Sequence, residues 1–194
     1  MARKRVVDRR IQKTQSLLHQ ALVSLIREKS YDAIAVKEIL DRANVGRSTF
    51  YTHFRDKDEL LISGIHEMLH TVKSALPASS ARGHEKFLRF SLPIFEHHDQ
   101  HRRTAGARMG TRGRAIVHEH LRKVIAELIA DEVKRDHPGR RSTAAHIPPD
   151  LLVQYVASTF ILVLNWWLDS RSPLRPNEVN DLFRSIVLST VAVE

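Results

Sequence analysis

The sequence contains no cysteine, which excludes disulfides, cysteine nucleophiles and thiolate zinc sites and fits a reducing, cytoplasmic setting. Aromatic residues make up 6% of the chain, and glycine and proline contribute seven residues each. So small a supply of turn formers favours helix over a turn-rich β architecture. No window approaches the roughly 18 consecutive apolar residues of a membrane span. The densest apolar run, Phe160 to Leu164, is far shorter, and no membrane partner is expected. The opening MARKRVVDRR is basic but is followed by no apolar segment or small-residue cleavage site, so it does not read as a secretory signal. With no HExxH or acid-triad motif and no internal repeat, the chain reads as neither an enzyme nor a cofactor-binding protein.

Positive charge and helical patterning are what the sequence does have. The 194 residues carry 31 Lys and Arg against 22 Asp and Glu, a net charge of +9. Such an excess points to a polyanionic partner, nucleic acid before an anionic membrane surface. At 42% apolar, the chain can fill the core of one large or two small domains.

Residues Val36 to Lys57, VKEILDRANVGRSTFYTHFRDK, are the stretch around which the rest is read. Upstream, from about Arg9 to Lys29, Ile11, Leu18, Ala21, Leu22, Leu25 and Ile26 recur at the offsets of one helical face. A second helix is predicted from Val36 to Ala43, burying Val36, Ile39, Leu40 and Ala43. Asn44 then stands where a left-handed residue is needed, and asparagine is the usual substitute for glycine there. The next helix, Arg47 to Phe54, is only two turns long and must be held by packing. Val45, Phe50 and Phe54 turn inward, leaving Arg47, Ser48, Thr49, Tyr51, Thr52 and His53 outward. Short hydroxyls and arginine suit base edges, while Tyr and His donors suit phosphates. Arg3 and Arg5 in the basic N-terminal arm, and Lys37 on the second helix, complete the candidate DNA contacts.

Beyond the helix-turn-helix, Lys57 to Lys73 reads as a helix with an acidic opening turn, and PASSARG at 77–83 as a joint. A helix from about His84 to His98 is kinked at Pro93. HRRTAGARMGTRGR, at 101–114, reads as connector charges, as arginines holding an anionic ligand or an acidic neighbour, or as a second nucleic-acid patch. Another helix spans about Ala115 to Arg135, then a loop runs to Pro149. The helix from Pro149 to Leu168 is apolar nearly all round, as when one face meets its own core and another a second subunit. A last helix opens near Pro176 and Glu178. Twelve histidines, with His66/His70 and His97/His101 four apart and His118-Glu119-His120 adjacent, keep open a metal-sensing regulator. A non-specific nucleic-acid-binding protein is the other alternative that the charge permits; no metal ligand is assigned.

From about residue 9 to 61 the chain resembles the DNA-binding half of TetR-family transcriptional regulators, most closely in ANVGRSTFYTHF and the following DKDELL. The later half, with LNWWLDSRSPLRPNEVNDLF, resembles one subgroup of TetR C-terminal domains. The resemblance implies an all-α chain: a three-helix head with its basic arm at 1–56, and a helical effector-binding and dimerisation domain at 57–194. It implies phosphate contacts from Tyr51, His53 and Lys57, with Arg47, Ser48, Thr49 and Thr52 at base edges or neighbouring phosphates. It further implies a homodimeric repressor on an inverted repeat, released by a small molecule. A pocket would draw on Phe87, Phe90, Phe95, Met109, Leu121, Phe160, Leu164, Trp166 and Trp167. A dimer interface would draw on Tyr155, Phe160, Val163, Trp167, Leu182, Phe183 and Ile186. Ser30, Ala35 and Gly46 depart from the family's usual glycine, threonine and serine. Each lost hydroxyl cap weakens its helix start by about 1 kcal/mol, less at Gly46 because glycine is itself a fair cap.

Overall fold

The computed structural model describes residues 9–75, 88–102, 109–136, 148–170 and 172–191. Every regular element among them is helical: α1 (Arg9–Glu28), a 3-10 turn (Tyr31–Ala33), α2 (Val36–Ala43), α3 (Arg47–His53), α4 (Lys57–Ala75), α5 (Ser91–Arg102), α6 (Gly110–Asp136), α7 (Pro149–Asp169) and α8 (Pro176–Val191). The chain divides into two compact units, Met1–Gly64 with Thr104–Val117, and Ile65–Arg103 with His118–Glu194. The first unit therefore takes in more than residues 1–56: Leu60 of α4 is buried in its core, and Met109 and Ile116 pack against that core.

In the first unit, Leu18, Ala21, Leu22, Leu25 and Ile26 of α1 meet Ile39, Leu40 and Ala43 of α2, Phe50, Phe54, Tyr31 and Ile34. Asn44 ends α2 at φ 51°, ψ 47°, in the left-handed region, and the Val45 N–H then donates to the Leu40 carbonyl at 3.1 Å. Asparagine tolerates this conformation where a branched side chain would not. At Ala35 the missing hydroxyl leaves one half of a capping pair: Glu38 Oε2 accepts from the Ala35 N–H at 2.9 Å, and Lys29 donates to the other carboxylate oxygen.

In the second unit, Phe90, Phe95, Phe160, Phe183 and Trp167 form one aromatic cluster. Ring centroids lie 4.9 Å apart for Phe95–Phe160, 5.2 Å for Phe90–Phe160, 5.4 Å for Phe160–Phe183 and 5.8 Å for Phe95–Trp167. All but the tilted Phe95–Phe160 pair are edge-to-face, and such stacking adds to the burial itself. Trp167 Nε1 donates to the Leu174 carbonyl at 2.9 Å, so the buried indole is not left unsatisfied.

Three expectations are revised. Pro93 does not kink a helix: α5 opens at Ser91, placing Pro93 in the first turn, where its missing N–H has no intrahelical partner to lose. The glycine- and arginine-rich segment is not all connector, because α6 begins at Gly110 and carries Arg112 and Arg114 as helical residues. α7 is long and apolar enough to cross a membrane, at a mean hydropathy of 1.6, although its polar residues break up any continuous run. It has the pattern of a core helix, with Val153, Val156, Ala157, Phe160, Val163, Leu164 and Trp167 buried along one side.

Neighbouring leucines on α1 test the packing of the first unit, since Leu18 is 0% and Leu17 39% exposed. Leu18→Ala is expected to cost about 2–5 kcal/mol, and Leu17→Ala less than about 1 kcal/mol, measured by urea unfolding.

Candidate nucleic-acid interface

α3 has too few residues to be stable alone, and its hold on the head comes from Phe50, fully buried, and Phe54 just beyond its end. Their rings lie 5.8 Å apart. This anchoring turns the other side of the helix to solvent: Arg47, Ser48, Thr49, Tyr51 and Thr52 are exposed and His53 is half-buried. The Arg47 guanidinium lies 5.5 Å from the centre of the Tyr51 ring, a cation–π contact that narrows the rotamers of both. Thr52 donates its hydroxyl to the Ser48 carbonyl at 2.9 Å and so faces outward as an acceptor.

Beside this face, Val36, Lys37, Leu40, Asp41, Val45, Arg47 and Tyr51 line a shallow depression of about 510 Å³ between α2 and α3. Lys37 and Arg47 are exposed on its rim. Two other cations of the head are held by acids. Arg42 grips Glu28 through both guanidinium nitrogens, at 2.6 and 2.8 Å, and also donates to Ser24. Lys29 pairs with Glu38. Hydrogen bonding to Arg42 lowers the Glu28 carboxyl below its usual value, and bonding to Lys29 does the same for Glu38. The charge left for a polyanion on this face is therefore that of Lys37 and Arg47, with no ion pair to either among the described residues.

Lys57 has a different position from the one expected. Its ammonium folds back to donate to the carbonyls of Tyr31 at 2.8 Å, Asp32 at 3.2 Å and Ile34 at 2.7 Å, and lies 4.6 Å from the centre of the Tyr31 ring. All three of its donors are used within the head, so a direct phosphate contact would have to break one of these bonds. Burial lowers its pKa, partly offset by Asp58 and Asp32. Next to it, Asp58 accepts the Tyr31 hydroxyl on one carboxylate oxygen and Arg112 Nε on the other at 3.0 Å. Burial raises the Asp58 pKa, but hydrogen bonds from Tyr31 and Arg112 and the Arg112 charge outweigh it, for a net lowering. Neither the Lys57 fold-back nor the Arg112–Asp58 pair was assigned from sequence, although arginines holding an acidic neighbour had been one reading of segment 101–114.

Among the remaining expected site residues, Arg3, Arg5 and Phe87 lie outside the described residues. Phe90, Phe95, Leu121, Phe160, Leu164 and Trp167 are buried as core, at 4% exposure or less. Met109 belongs to the first unit, and Trp166 is 45% exposed. Of the expected dimer contacts, Phe160, Val163, Trp167 and Phe183 are buried within the chain's own core. Tyr155, Leu182 and Ile186 keep surface, the Tyr155 hydroxyl lying 2.9 Å from Thr190 Oγ1. Leu151, Leu162 and Trp166 join them as exposed apolar residues. Among the described residues no group of three or more His, Asp or Glu could hold a metal ion; the rings of His66 and His120 lie 6.4 Å apart.

The lowered Asp58 pKa predicts an acid-sensitive head. Its contribution is fully present above the unfolded value of 3.8 and is lost as pH falls through the lower folded value. Asp58→Asn is expected to cost about 1–2 kcal/mol at pH 7 and to narrow its gap from wild type at pH 3. Urea unfolding at the two pH values checks this, and an unchanged gap would show that the carboxylate charge is not what matters.

Comparison with known proteins agrees with this geometry. A model of the bacterial regulatory proteins of the tetR family matches residues 18–63, and one of a transcriptional regulator C-terminal region matches residues 85–189. The chain is 38% identical over 56 residues to the uncharacterized HTH-type transcriptional regulator YxbF of Bacillus subtilis (strain 168), covering 28% of this chain and 15% of that protein. It is 35% identical over 48 residues to the HTH-type dhaKLM operon transcriptional activator DhaS of Lactococcus lactis subsp. lactis (strain IL1403), covering 25% and 26%. These matches thus span about a quarter or less of the curated relatives' length. A TetR transcriptional regulator from Streptococcus agalactiae 2603V shares the fold over 93% of this chain and 96% of its own, with a TM-score of 0.61 and 27% identity. With its head matched by one model and more than half its length by the other, the chain belongs to the TetR family of DNA-binding transcriptional regulators, which are transcription factors and not enzymes.

Proposed function

We propose that the chain works in the cytoplasm as a homodimeric repressor, placing two α3 helices in successive major grooves of an inverted-repeat operator until a small molecule releases it. The observation that carries this reading is the exposed face of α3, where Arg47, Ser48, Thr49, Tyr51 and Thr52 stand outward on a helix pinned by Phe50. A helix so placed can reach base edges while Lys37 and His53 meet phosphates. Half-sites about one helical turn apart, or a multiple of that, follow from docking geometry.

The second copy is proposed to cover the apolar surface of α7 and α8. Leu151, Tyr155, Leu162 and Trp166 fall along one side of α7, and Leu182 and Ile186 are exposed on α8, with Leu162 68% exposed. Surface of this kind favours burial against a partner. The effector is proposed to bind within the second unit, and it can release DNA only by binding one conformation better than the other. Because DhaS is named as an activator, repression must be tested at the promoter itself.

Two outcomes follow. In gel shifts on DNA upstream of its own operon, Arg47→Ala is expected to weaken specific binding by about 1–3 kcal/mol, and Lys37→Ala to weaken all sequences alike and lower the salt slope by about one. Retardation of that DNA equal to that of a scrambled duplex would favour a non-specific binder instead. In sedimentation, Leu162→Asp with Trp166→Glu is expected to give a monomer. A dimer unchanged by this double substitution would place the interface elsewhere.

A further inference from the structure

We propose that Arg112 is a positioning residue for DNA reading: it clamps the opening turn of α6 to α4, making α6 a working part of the recognition head. The argument starts from two glycines. Gly110 has φ +69°, and a Cβ there would fall 2.5 Å from Asp32 Oδ2 and 2.8 Å from Ser30 Oγ. A Cβ at Gly113 would fall 2.9 Å from Tyr31 Cδ1 and 2.9 Å from the Met109 sulfur. The first turn of α6 thus lies on the 30–32 segment: a methyl group at Gly113 would press on the buried Tyr31 ring, and one at Gly110 would displace Asp32 and Ser30 on a backbone already in the left-handed region. Glycine is a poor helix former, so two within one turn make sense only as places of close approach.

Arg112 stands between them and donates through Nε and a terminal nitrogen to Asp58 Oδ2, while the Tyr31 hydroxyl donates to Oδ1. An exposed ion pair contributes little by itself, and the Arg112 side chain is 69% exposed. Asp58, however, is only 17% exposed, and its other oxygen holds a fully buried tyrosine. Tyr31 is thereby fixed by Asp58, by Lys57 over its ring and by the backbone of Gly113. The same aspartate sits in the first turn of α4, whose start is capped by Asp56 Oδ1 accepting from the Glu59 N–H at 2.9 Å and by Glu59 Oε2 accepting from the Arg55 N–H at 2.7 Å. Arg55 follows directly on Phe54, the residue that ends α3. A connected set of contacts therefore joins Arg112 to the recognition helix, all within the first unit. α6 itself continues to Asp136 in the second unit. The proposal rests on DNA binding and does not need release by a ligand.

The test uses the full chain and two readouts: amide hydrogen exchange, and affinity for the best duplex recovered from a random DNA library. Arg112→Gln is expected to speed exchange across residues 47–60 by about fivefold and to weaken DNA binding, with exchange at 121–129 and 156–164 unchanged. Arg112→Lys keeps one donor and should restore part of both. Gly113→Ala gives the opposite sign from helix propensity: propensity alone would stabilise α6, whereas the clamp requires faster exchange at 47–60. Arg122→Gln, which breaks exposed contacts of α6 with its own Glu119 and with Gln154 of α7, should change neither readout. Exchange at 47–60 matching wild type in both Arg112→Gln and Gly113→Ala would overturn the proposal, and so would a rise spread equally over the whole chain. If wild type selected no duplex, the operator reading would fail, while the exchange pattern would still judge the clamp.

Discussion

A helix of seven residues has no stability of its own in water, and the burial of Phe50 is what keeps α3 in being. With that ring in the core, the five outward side chains are presented on a rigid element, without the flexibility of a loop. The head is arranged around this requirement. α1 and α2 supply the apolar wall, and Asn44 supplies the sharp reversal that brings α3 against it. Because Phe50 and Phe54 are shared with α1 and the opening of α4, small changes in those neighbours reach the DNA-facing side through packing alone.

The polar groups around Tyr31 serve the same end by another route. A phenol, a carboxylate, an ammonium and a guanidinium are gathered there, and hydrogen bonds engage each of them. Burial strongly raises the Tyr31 pKa, assisted by the hydrogen bond to Asp58, so the phenol stays protonated and remains a donor. A group held in this way fixes direction as well as distance, which apolar packing does poorly. The 3-10 turn between α1 and α2 thus acquires a defined shape without a long helix to define it.

The head was largely legible in the sequence because its apolar residues fall at helical offsets and its turn carries a residue type with a specific backbone preference. Phe50 and Phe54 inward, and Arg47 and Tyr51 outward, follow from spacing alone. The second unit resisted the same reading. α7 is apolar on nearly every side, so periodicity could not separate Phe160, Val163 and Trp167, which are inside, from Leu162 and Trp166, which are outside. The contacts of Lys57 were not legible because its partners are carbonyls more than twenty residues upstream, and no local pattern records such a fold-back. Gly110 and Gly113 looked like connector residues because their reason lies in Tyr31 and Asp32, distant in the chain.

The two tryptophans, Trp166 and Trp167, are the whole complement of this chain, adjacent on α7 yet opposite in surroundings. One indole is 45% exposed on the apolar surface, and the other is fully buried and bonded to a carbonyl. Tryptophan fluorescence therefore arises entirely from the second unit, as a red-shifted and a blue-shifted component one residue apart. The head contributes only tyrosine emission, so the natural fluorophores already divide the molecule spectroscopically: one tryptophan colour for the outer side of α7, one for its inner side, and no tryptophan signal from the part that meets DNA.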